Sequence, residues 1–439
     1  MSGSARRAAG HRPSRSHHLH RLAASALLAV FGAVALLPAL GWAQPASPPP
    51  PTPVPVPGGG TSPSPFPSIL RTPAPETPEP PEVSAAAAVL VDLRSGQTLF
   101  ALAPAERRPV ASLTKIMTAY LVLSETSPSE VVTVSDRAAN VTAVGVAGLG
   151  LVAGEQVTIR DLLYALLLQS ANDAAVALAE HVAGTVESFV VLMNETAARL
   201  GLTRTRFASP SGLDNEGYST AREMARLTRA AFAREGFADI VATSTYSIPA
   251  PGGEDRVIQN RNALLWLYAG ATGVKTGFTT PAGFCIVGTA ERDDRRLLVV
   301  VLGEPREAFS DAAALLNYGF AAFERRPVIR VGRDLGTVPI GGRDVPVQAG
   351  GDLESLVPAQ ARIRREVVVD PGVRFPPGRG QTIGRVVISV VGDRVIGSVP
   401  LVVSDVPPPP PLEDDRPWWR RGIETVVRAG VDLVDALLS

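Results

Sequence analysis

The run ASLTKIMT, residues 111–118, decides how this chain folds and which chemistry it can support. It continues into further apolar residues, so Ser112 is expected at or near a helix N-terminus, with Lys115 one turn later on the same face. This spacing lets the lysine amine reach the serine hydroxyl, and burial would lower the pKa of the amine enough to make it a base. The helix N-terminus would also favour developing negative charge. Taken alone, the run also fits an N-cap serine followed by an ordinary helix lysine.

Lysine is almost absent from the rest of the chain. Among 439 residues, Lys115 and Lys275 are the two lysines, and the other 40 of the 42 basic residues are arginine. A buried lysine can lose its proton, whereas arginine stays protonated in proteins. The two lysines are therefore expected where a compact or titratable positive charge is needed.

Two further motifs follow in chain order. Ser170-Ala171-Asn172 lies at a break between two helical segments, where Ser170 could relay a proton and Asn172 could hold a substrate backbone. By itself this motif is also a usual N-cap arrangement. Lys275-Thr276-Gly277 is expected on an edge strand beside a cleft, where it would suit a C-terminal carboxylate, although a strand lysine usually faces solvent. The three motifs together indicate a serine nucleophile with a lysine base.

Histidine and cysteine content argues against other catalytic sites. Four of the five histidines precede the first apolar segment, which leaves His181, expected as a structural residue at a helix end. Cys285 is the one cysteine and is expected to be buried and inert in an apolar strand. A Ser-His-Asp triad would need His181, and a zinc site would lack its usual ligands, so no metal or cofactor is predicted. The formal net charge of zero and the lack of a basic stripe give nucleic-acid binding no support.

The N-terminus carries an export pattern. Basic residues precede an uninterrupted apolar stretch at 22–40, and Gly41-Trp42-Ala43 offers small residues at a cleavage site. We expect a signal peptide over residues 1–43, although a stretch of roughly 19 residues would also serve as an uncleaved anchor. Residues 44–82, rich in Pro, Ser, Thr, Ala and Gly, are expected to form an extended linker.

Residues 83–324 have a globular composition and mixed helix and strand patterning. The predicted elements, in chain order, are a hairpin of strands 85–92 and 97–101 turned at 94–96, helices over 113–124, 157–168 and 173–183, and antiparallel strands over 283–290 and 297–302. An early hairpin, intervening helices and late antiparallel strands predict one five-stranded sheet flanked by helices.

The remainder of the chain changes character. Residues 325–406 are predicted to form a small all-β domain without a chemical motif, with strands over 362–369, 385–391 and 394–403 and a tight turn at Gly392-Asp393. Residues 407–417 form a second Pro-rich linker. Residues 418–439 are predicted to form an amphipathic helix that is too charged to span a membrane and that lies on a membrane surface. Docking of this helix on a protein surface is the alternative.

The motifs resemble those of the low-molecular-weight penicillin-binding proteins, the serine-type D-Ala-D-Ala carboxypeptidases. The resemblance covers most of residues 87–439 and extends to further runs: VD at 91–92 with SG at 95–96, SPSGLD at 209–214, NRN at 260–262, LLW at 264–266 and GVKTGFT at 273–279. It implies an α/β fold, a transpeptidase-like (β-lactamase-like) domain whose five-stranded antiparallel sheet is flanked by helices, plus a small all-β C-terminal domain. It also implies an exported protein held peripherally on the outer face of the cytoplasmic membrane.

The resemblance implies roles for the catalytic residues. Ser112 would attack the peptide bond between two D-alanines with Lys115 as the base, while Ser170 and Asn172 would shuttle the proton and orient the substrate. D-Ala would leave, and water would hydrolyse the acyl-enzyme. The expected partners are peptidoglycan stem peptides and β-lactam inhibitors, which would acylate Ser112 and stay.

Substrate binding is also assigned by the resemblance. The residues implied for it are Lys275, Thr276, Gly277 and Phe278, with the first two on the terminal carboxylate. The backbone N–H groups of Ser112 and Phe278 would form the oxyanion hole. Arg306 is a candidate for a further contact with the carboxylate.

The sequence departs from the family pattern at two places, and three other functions remain as alternatives. Ala171 and Ser211 replace the more common Gly and His, which bears on substrate preference. A D,D-endopeptidase acting on peptidoglycan crosslinks would use the same site. A class A β-lactamase would need a Glu with Asn four residues later between the second and third motifs, and the chain has none. A non-enzymatic wall-binding protein would be favoured by a broken motif, and all three motifs are intact.

Overall fold

The computed structural model describes residues 78–141, 146–306, 308–390 and 394–406, together with Ile423, Val426 and Val427. The predicted signal peptide, the turn at Gly392-Asp393, the second linker and nearly all of the predicted C-terminal helix lie outside the described residues. So does the first linker up to residue 77.

Strands make up most of the second half of the described chain. In order they are β1 (Ala87–Asp92), β2 (Thr98–Leu102), β3 (Val131–Thr133), β4 (Gln156–Thr158), β5 (Thr245–Ile248), β6 (Arg256–Gln259), β7 (Ala271–Thr279), β8 (Gly283–Arg292), β9 (Arg295–Glu304), β10 (Phe323–Ile329), β11 (Asp334–Ile340), β12 (Arg343–Ala349), β13 (Leu353–Pro358), β14 (Ile363–Val369), β15 (Thr382–Val390) and β16 (Arg394–Val403).

Helices lie mainly between β2 and β7. They are α1 (Lys115–Glu125), α2 (Asp136–Ala139), α3 (Ile159–Tyr164), α4 (Asn172–Ala183), α5 (Val186–Arg199), α6 (Ala221–Phe232), α7 (Phe237–Ala242), α8 (Leu264–Leu267) and α9 (Phe309–Ala322). A single 3-10 turn, Ala111–Thr114, precedes α1, and a π-helical turn, Ala165–Gln169, follows α3.

The central sheet has the strand order β2-β1-β9-β8-β7, and every neighbouring pair is antiparallel. The predicted five-stranded antiparallel sheet is therefore confirmed. Its order follows from the chain path, since the early hairpin and the late strands meet where β1 pairs with β9. This places β7, which carries the third motif, at one edge of the sheet and β2 at the other.

Alternation along the central strands creates two cores. Ala87, Val89 and Val91 of β1 pack in the larger core with the helices between β2 and β7. Ala88 and Leu90, on the opposite face, pack in a second core with α9. Because successive side chains of a strand point to opposite faces, a strand that is apolar at every position is suited to a sheet covered on both sides.

The predicted elements are found with shifted ends. The hairpin, the helix after Ser112, the helix after the second motif and the two late strands are all present. The stretch 157–168, predicted as one helix, is the end of β4, then α3, then most of the π-helical turn. Its first two residues, 157 and 158, belong to β4 and pair with β3. Helix α3 begins only at Ile159, because Thr158 is its N-cap and accepts a hydrogen bond from the backbone N–H of Asp161 at 3.1 Å.

The described residues between 323 and 406 form strands and no helix, as predicted. β11, β12, β16, β15 and β14 form a second five-stranded antiparallel sheet, and β10 pairs with β13. Valines, isoleucines and leucines of these strands make a third core. The division into domains at 324/325 stays a prediction, although the change from helix to strand occurs between Ala322 and Phe323, close to it.

Side chains of the first hairpin join the two regions. Gln97, just before β2, donates to the Leu356 carbonyl at 2.7 Å and accepts from the Ser355 hydroxyl at 2.6 Å. Asp92 at the end of β1 is fully buried and pairs with Arg325 of β10 at 3.1 Å. A buried ion pair and two side-chain hydrogen bonds therefore fix β10 and β13 against the central sheet.

Among the described residues, no single helix combines the length and the apolar character needed to cross a membrane. The consecutive helices α4 and α5 meet those criteria only as a pair, and they are bent by 82° where they meet.

Candidate active site

Ser112 lies in the 3-10 turn directly before α1, close to the helix N-terminus as predicted. The turn begins at Ala111, whose φ of +47° is uncommon for a residue with a side chain. Two glycines allow close packing around it. A Cβ on Gly212 would lie 2.0 Å from the Ala111 carbonyl oxygen, and a Cβ on Gly277 would lie 3.0 Å from the Ser112 nitrogen. The backbone around the serine is thus set by its neighbours, and backbone strain of this kind is often found at functional sites.

Lys115 is fully buried one turn after Ser112. Its Nζ lies 3.1 Å from Ser112 Oγ, 2.8 Å from Asn172 Oδ1 and 2.7 Å from the Ser211 carbonyl oxygen. Burial, followed by the charges of Lys275 and Arg261, lowers the pKa of Lys115 well below its usual value, and Asp173 acts in the opposite direction.

These three contacts fit a neutral amine acting as a base. A neutral Lys115 has two N–H bonds, which the oxygens of Asn172 and Ser211 accept, and one lone pair, which then faces the Ser112 hydroxyl. Asn172 is held with its oxygen toward the lysine, because its Nδ2 donates to the Ala147 carbonyl at 2.9 Å. The arrangement can remove the serine proton as the oxygen attacks.

The second motif lies where the π-helical turn ends and α4 begins. Ser170 adopts the left-handed conformation, with φ at +64°, and this directs the chain into α4 at Asn172. The predicted helix break is confirmed here. Ser170 and Asn172 are both buried, yet both border the cavity described below.

Asp173, next to Asn172, holds the loop that borders this motif. Its buried carboxylate accepts the backbone N–H groups of Leu149, Gly150 and Leu151 at 2.9–3.2 Å. The same loop supplies the Ala147 carbonyl, which accepts from both the backbone N–H and the side-chain amide of Asn172. Asp173 thereby supports the orientation of Asn172.

Strand β7 carries the third motif along the other side of the site. Lys275 is 1% exposed, and its Nζ donates to the Thr276 carbonyl at 2.8 Å. Burial, and then the charge of Arg261, lowers the pKa of Lys275 from 10.5 to about 7. Phe278 is more than half exposed, and its ring lies 4.5 Å from that of Phe284.

A cavity of about 370 Å³ brings most of these groups together. Its walls are formed by Ser112, Val146, Ala147, Ser170, Asn172, Leu213, Arg261, Thr276, Gly277, Phe278, Phe284, Cys285, Ile286, Ala308 and Phe309. Of the predicted residues, Lys115 and Lys275 are buried behind this wall, and Arg306 is not part of it. The charged side chain on the wall is instead Arg261.

The sequence and fold of this chain match known proteins. The family profile described as D-alanyl-D-alanine carboxypeptidase matches residues 74–306. The D-alanyl-D-alanine carboxypeptidase DacC of Escherichia coli is 34% identical over 351 residues, which cover 76% of this chain and 86% of that protein. The chain belongs to the D-alanyl-D-alanine carboxypeptidase family. The resemblance inferred from the motifs is thus confirmed, as is the class of serine-type hydrolase.

Solved structures agree with this family and with the transpeptidase-like fold. Penicillin binding protein 5 from Haemophilus influenzae is 32% identical, with a TM-score of 0.63, and the match covers 75% of this chain and 98% of that one. The Streptomyces K15 DD-transpeptidase is 35% identical, with a TM-score of 0.52, and the match covers 55% of this chain and 99% of that one. Because the second match covers nearly all of the Streptomyces chain but only 55% of this one, part of this chain has no counterpart in that structure.

His181 and Cys285, the residues that a histidine- or cysteine-dependent catalytic site would need, both lie outside the contacts of Ser112 and Lys115. His181 lies in the last turn of α4, and its Nε2 is 3.1 Å from a carboxylate oxygen of Glu130. Cys285 contributes to the cavity wall but is buried, and burial raises the pKa of its thiol to about 11, so the reactive thiolate is disfavoured near neutral pH. Within the described residues, no group of three or more His, Cys, Asp or Glu residues is placed to hold a metal ion.

Arg261 borders the cavity, and the sequence analysis assigned it no role. The run NRN at 260–262 was matched to the carboxypeptidase family without a role. Asn260 fixes this run, since its Nδ2 donates to the carbonyls of Val241 and Thr243 at 3.2 and 3.0 Å, and its Oδ1 accepts from the backbone N–H of Asn262. An arginine between two asparagines that hold the loop is the sequence pattern that could have indicated it.

Proposed function

We propose that this protein is a D-alanyl-D-alanine carboxypeptidase that removes the terminal D-Ala from peptidoglycan stem peptides through an acyl-serine intermediate. The observation that carries the proposal is the contact of a buried, low-pKa Lys115 with Ser112, beside a cavity whose charged wall residue is Arg261. The cavity therefore offers a nucleophile, a base and a site for one carboxylate.

Acylation begins with proton transfer from Ser112 to Lys115. The serine oxygen attacks the carbonyl between the two D-alanines, and the carbonyl oxygen becomes an oxyanion. The backbone N–H groups of Ser112 and Phe278 would receive it, and the close approach of β7 to the serine turn at Gly277 supports this assignment. Preorganised donors of this kind stabilise the transition state more than the substrate.

Collapse of the tetrahedral intermediate breaks the peptide bond. The nitrogen of the leaving D-Ala takes a proton that originates from the serine hydroxyl, passed on by Lys115 through Ser170. The D-Ala carboxylate is bound by Arg261 and Thr276, and buried Lys275 adds positive potential behind them. Arg261 takes the role expected of Arg306, because it borders the cavity.

Water then hydrolyses the acyl-enzyme, adding a proton to Ser112 and a hydroxyl to the peptide carbonyl. Lys115 is neutral again after the first step and can activate this water. A β-lactam would acylate the same serine, but its leaving group remains attached to the acyl moiety. It should therefore block the site for longer than a peptide does.

Export and membrane association are also part of the proposal. The basic and apolar N-terminus supports a signal peptide that ends near residue 43, and with it export to the outer face of the cytoplasmic membrane. Ile423, Val426 and Val427 are helical and more than half exposed, which supports an apolar helix face available for a membrane surface. Sequencing the N-terminus of the mature protein tests the cleavage of the signal peptide. Deletion of residues 418–439 tests the membrane association, since it should release the protein from membranes.

The test of the activity uses intact-mass spectrometry with a penicillin, together with release of D-Ala from a stem pentapeptide. The variants are Ser112→Ala and, as a matched control on α1, Ser124→Ala, whose hydroxyl only donates to the Tyr120 carbonyl within the helix. We expect a stable adduct and D-Ala release for the wild type and for Ser124→Ala, and neither for Ser112→Ala.

Other outcomes separate the alternatives. Rapid penicillin hydrolysis without an adduct would indicate a β-lactamase. Cleavage of crosslinked dimers in preference to the pentapeptide would indicate an endopeptidase. No adduct, no hydrolysis and no D-Ala release would refute the enzymatic mechanism.

A further inference from the structure

A second cavity lies at the edge of the central sheet opposite the active site. It has a volume of about 210 Å³ and is enclosed by the first hairpin on one side and α6 on the other. Its lining comprises Val89, Val91, Gly96, Thr98, Arg222, Ala225, Arg226 and Arg229. Three of these eight residues are arginines, and none is acidic.

The three arginines share one face of α6. Arg222, Arg226 and Arg229 are separated by four and three residues, which places neighbouring guanidinium groups on the same side of the helix. Like charges at this spacing destabilise a helix. None of the three forms an ion pair within the described residues. The lining therefore concentrates positive charge without a carboxylate to balance it.

Arg229 is held in place by the hairpin. Its Nε donates to the Leu93 carbonyl at 3.0 Å and its Nη2 to the Arg94 carbonyl at 3.2 Å. Gly96 makes room for the guanidinium, because a Cβ at this position would lie 2.0 Å from Nη1 of Arg229. The φ of +78° at Gly96 also favours glycine. The Nε and Nη2 edge of the guanidinium is thus fixed by the main chain, and no hydrogen bond within the described residues uses Nη1.

The other two arginines also keep free donors. Arg226 uses Nη1 to donate to the Gly201 carbonyl at 2.7 Å and retains its remaining N–H groups. The Arg222 guanidinium has no hydrogen-bond or ion-pair partner in the part of the chain that the structure describes. One guanidinium group held by the main chain, beside two exposed ones with unused donors, is an arrangement that can bind phosphate oxygens through several charge-assisted hydrogen bonds.

We propose that this cavity is a binding site for a phosphate group, separate from the active site. A phosphate ester presents three strong acceptor oxygens and a charge of about −1.5 to −2 near pH 7, which matches three guanidinium groups better than a single carboxylate does. The volume admits the phosphate and a few attached atoms, so the ligand would be a soluble phosphate ester or the head of an anionic phospholipid.

Calorimetry and vesicle sedimentation test the proposal on the full chain. The probes are glycerol 3-phosphate, acetate, and phosphatidylcholine vesicles with and without phosphatidic acid. The test variant is Arg222→Gln combined with Arg226→Gln. The matched control is Arg137→Gln combined with Arg160→Gln, which removes the same charge from other helices. Acylation by a penicillin checks that each variant folds, because none of these residues borders the active-site cavity.

We expect one saturable phosphate site on the wild type and on the control variant, with affinity reduced at least about tenfold in the test variant. Binding of glycerol 3-phosphate would show that a soluble phosphate ester is sufficient to occupy the site. Binding only to vesicles that contain phosphatidic acid, again lost in the test variant, identifies a lipid headgroup. Absence of saturable binding to either probe would overturn the proposal, as would an equal loss in the control variant. Equal affinity for acetate would overturn the assignment of phosphate.

Discussion

The substitution Asp173→Asn tests whether the loop beside the second motif maintains the catalytic geometry. The Asp173 carboxylate accepts three backbone N–H groups of residues 149–151 and the backbone N–H of Ala174. An asparagine keeps one acceptor oxygen and replaces the other with an NH2 group, which would face N–H donors. About half of these hydrogen bonds are therefore lost.

The expected cost follows from the number of unpaired groups. A buried N–H that loses its partner costs about 1–3 kcal/mol, so two such groups lower the free energy of unfolding by roughly 2–6 kcal/mol. Release of the loop also frees the Ala147 carbonyl, which accepts twice from Asn172. Because Asn172 accepts from Lys115, we expect the rate of acylation by a penicillin to fall by about tenfold to hundredfold.

Urea denaturation measures the loss of stability, and stopped-flow acylation measures the loss of rate. The matched control is Asp136→Asn, which changes an exposed carboxylate in the first turn of α2 and should alter both quantities little. Proline or glycine changes in the loop would test a different property and are not needed. If Asp173→Asn unfolds at the same urea concentration as the wild type and acylates equally fast, the support of Asn172 by this loop is refuted.

Four further predictions concern the charges and contacts of the site and of the first hairpin. The pKa of Lys275 is lowered from 10.5 to about 7, so between these pH values the unfolded chain binds a proton that the folded chain does not. The free energy of unfolding should therefore rise with pH in this range, by up to about 1.4 kcal/mol per pH unit. Urea titrations at several pH values should show that Lys275→Met removes this contribution. The charge of Arg261 contributes to the lowered pKa of Lys115, so Arg261→Gln should shift the acid limb of the pH profile of acylation to higher pH. The same variant should raise KM for the peptide, because Arg261 is proposed to bind its carboxylate. An acid limb at the same pH as in the wild type would contradict the effect of Arg261 on Lys115. Gly277→Val should reduce acylation by about tenfold or more in stopped-flow assays, because its Cβ would press on the main chain of the nucleophile; unchanged acylation would show that this close approach is not needed. Gln97→Ala removes the hydrogen bonds of this side chain to Ser355 and Leu356 and should destabilise the contact with β13 by about 2 kcal/mol. Hydrogen exchange should become faster around Leu356, while the acylation rate stays unchanged. Unchanged exchange would show that the two hydrogen bonds do not hold the strand.

The local motifs were predictable from the sequence because each depends on short-range spacing. A serine and a lysine three residues apart at a helix start are neighbours wherever that helix is placed. The five-stranded sheet was also predictable, since an early hairpin and late antiparallel strands leave few topologies, whereas its strand order came from the structure. Boundaries were less accessible where a side chain decides them, as Thr158 does by capping α3.

Long-range contacts in the site could not be predicted in the same way. Lys115 is buried by the Ser211 carbonyl, 96 residues later, and by Asn172, 57 residues later. The position of Arg261 on the cavity wall depends on how Asn260 anchors its loop to carbonyls 17 and 19 residues away. No periodicity reports such contacts, because they arise only when separate helices and strands pack together. Motif order indicated that the motif residues share a site, but the position of the Arg261 charge on the cavity wall had to come from the structure.

The environment of the two lysines explains why arginine would not serve at these positions. Lys115 and Lys275 are both fully buried, and their hydrogen-bond partners are hydroxyl, amide and carbonyl oxygens rather than carboxylates. Burial is the main cause that lowers the pKa of both lysines, and the charge of Arg261, which cannot release its own proton, lowers it further. Repulsion among the three cations is therefore relieved by loss of a proton from a lysine, which leaves Lys115 able to act as a base. An arginine at position 115 would keep its charge and could not accept the Ser112 proton, so the chain can use arginine almost everywhere except where the proton must be removable.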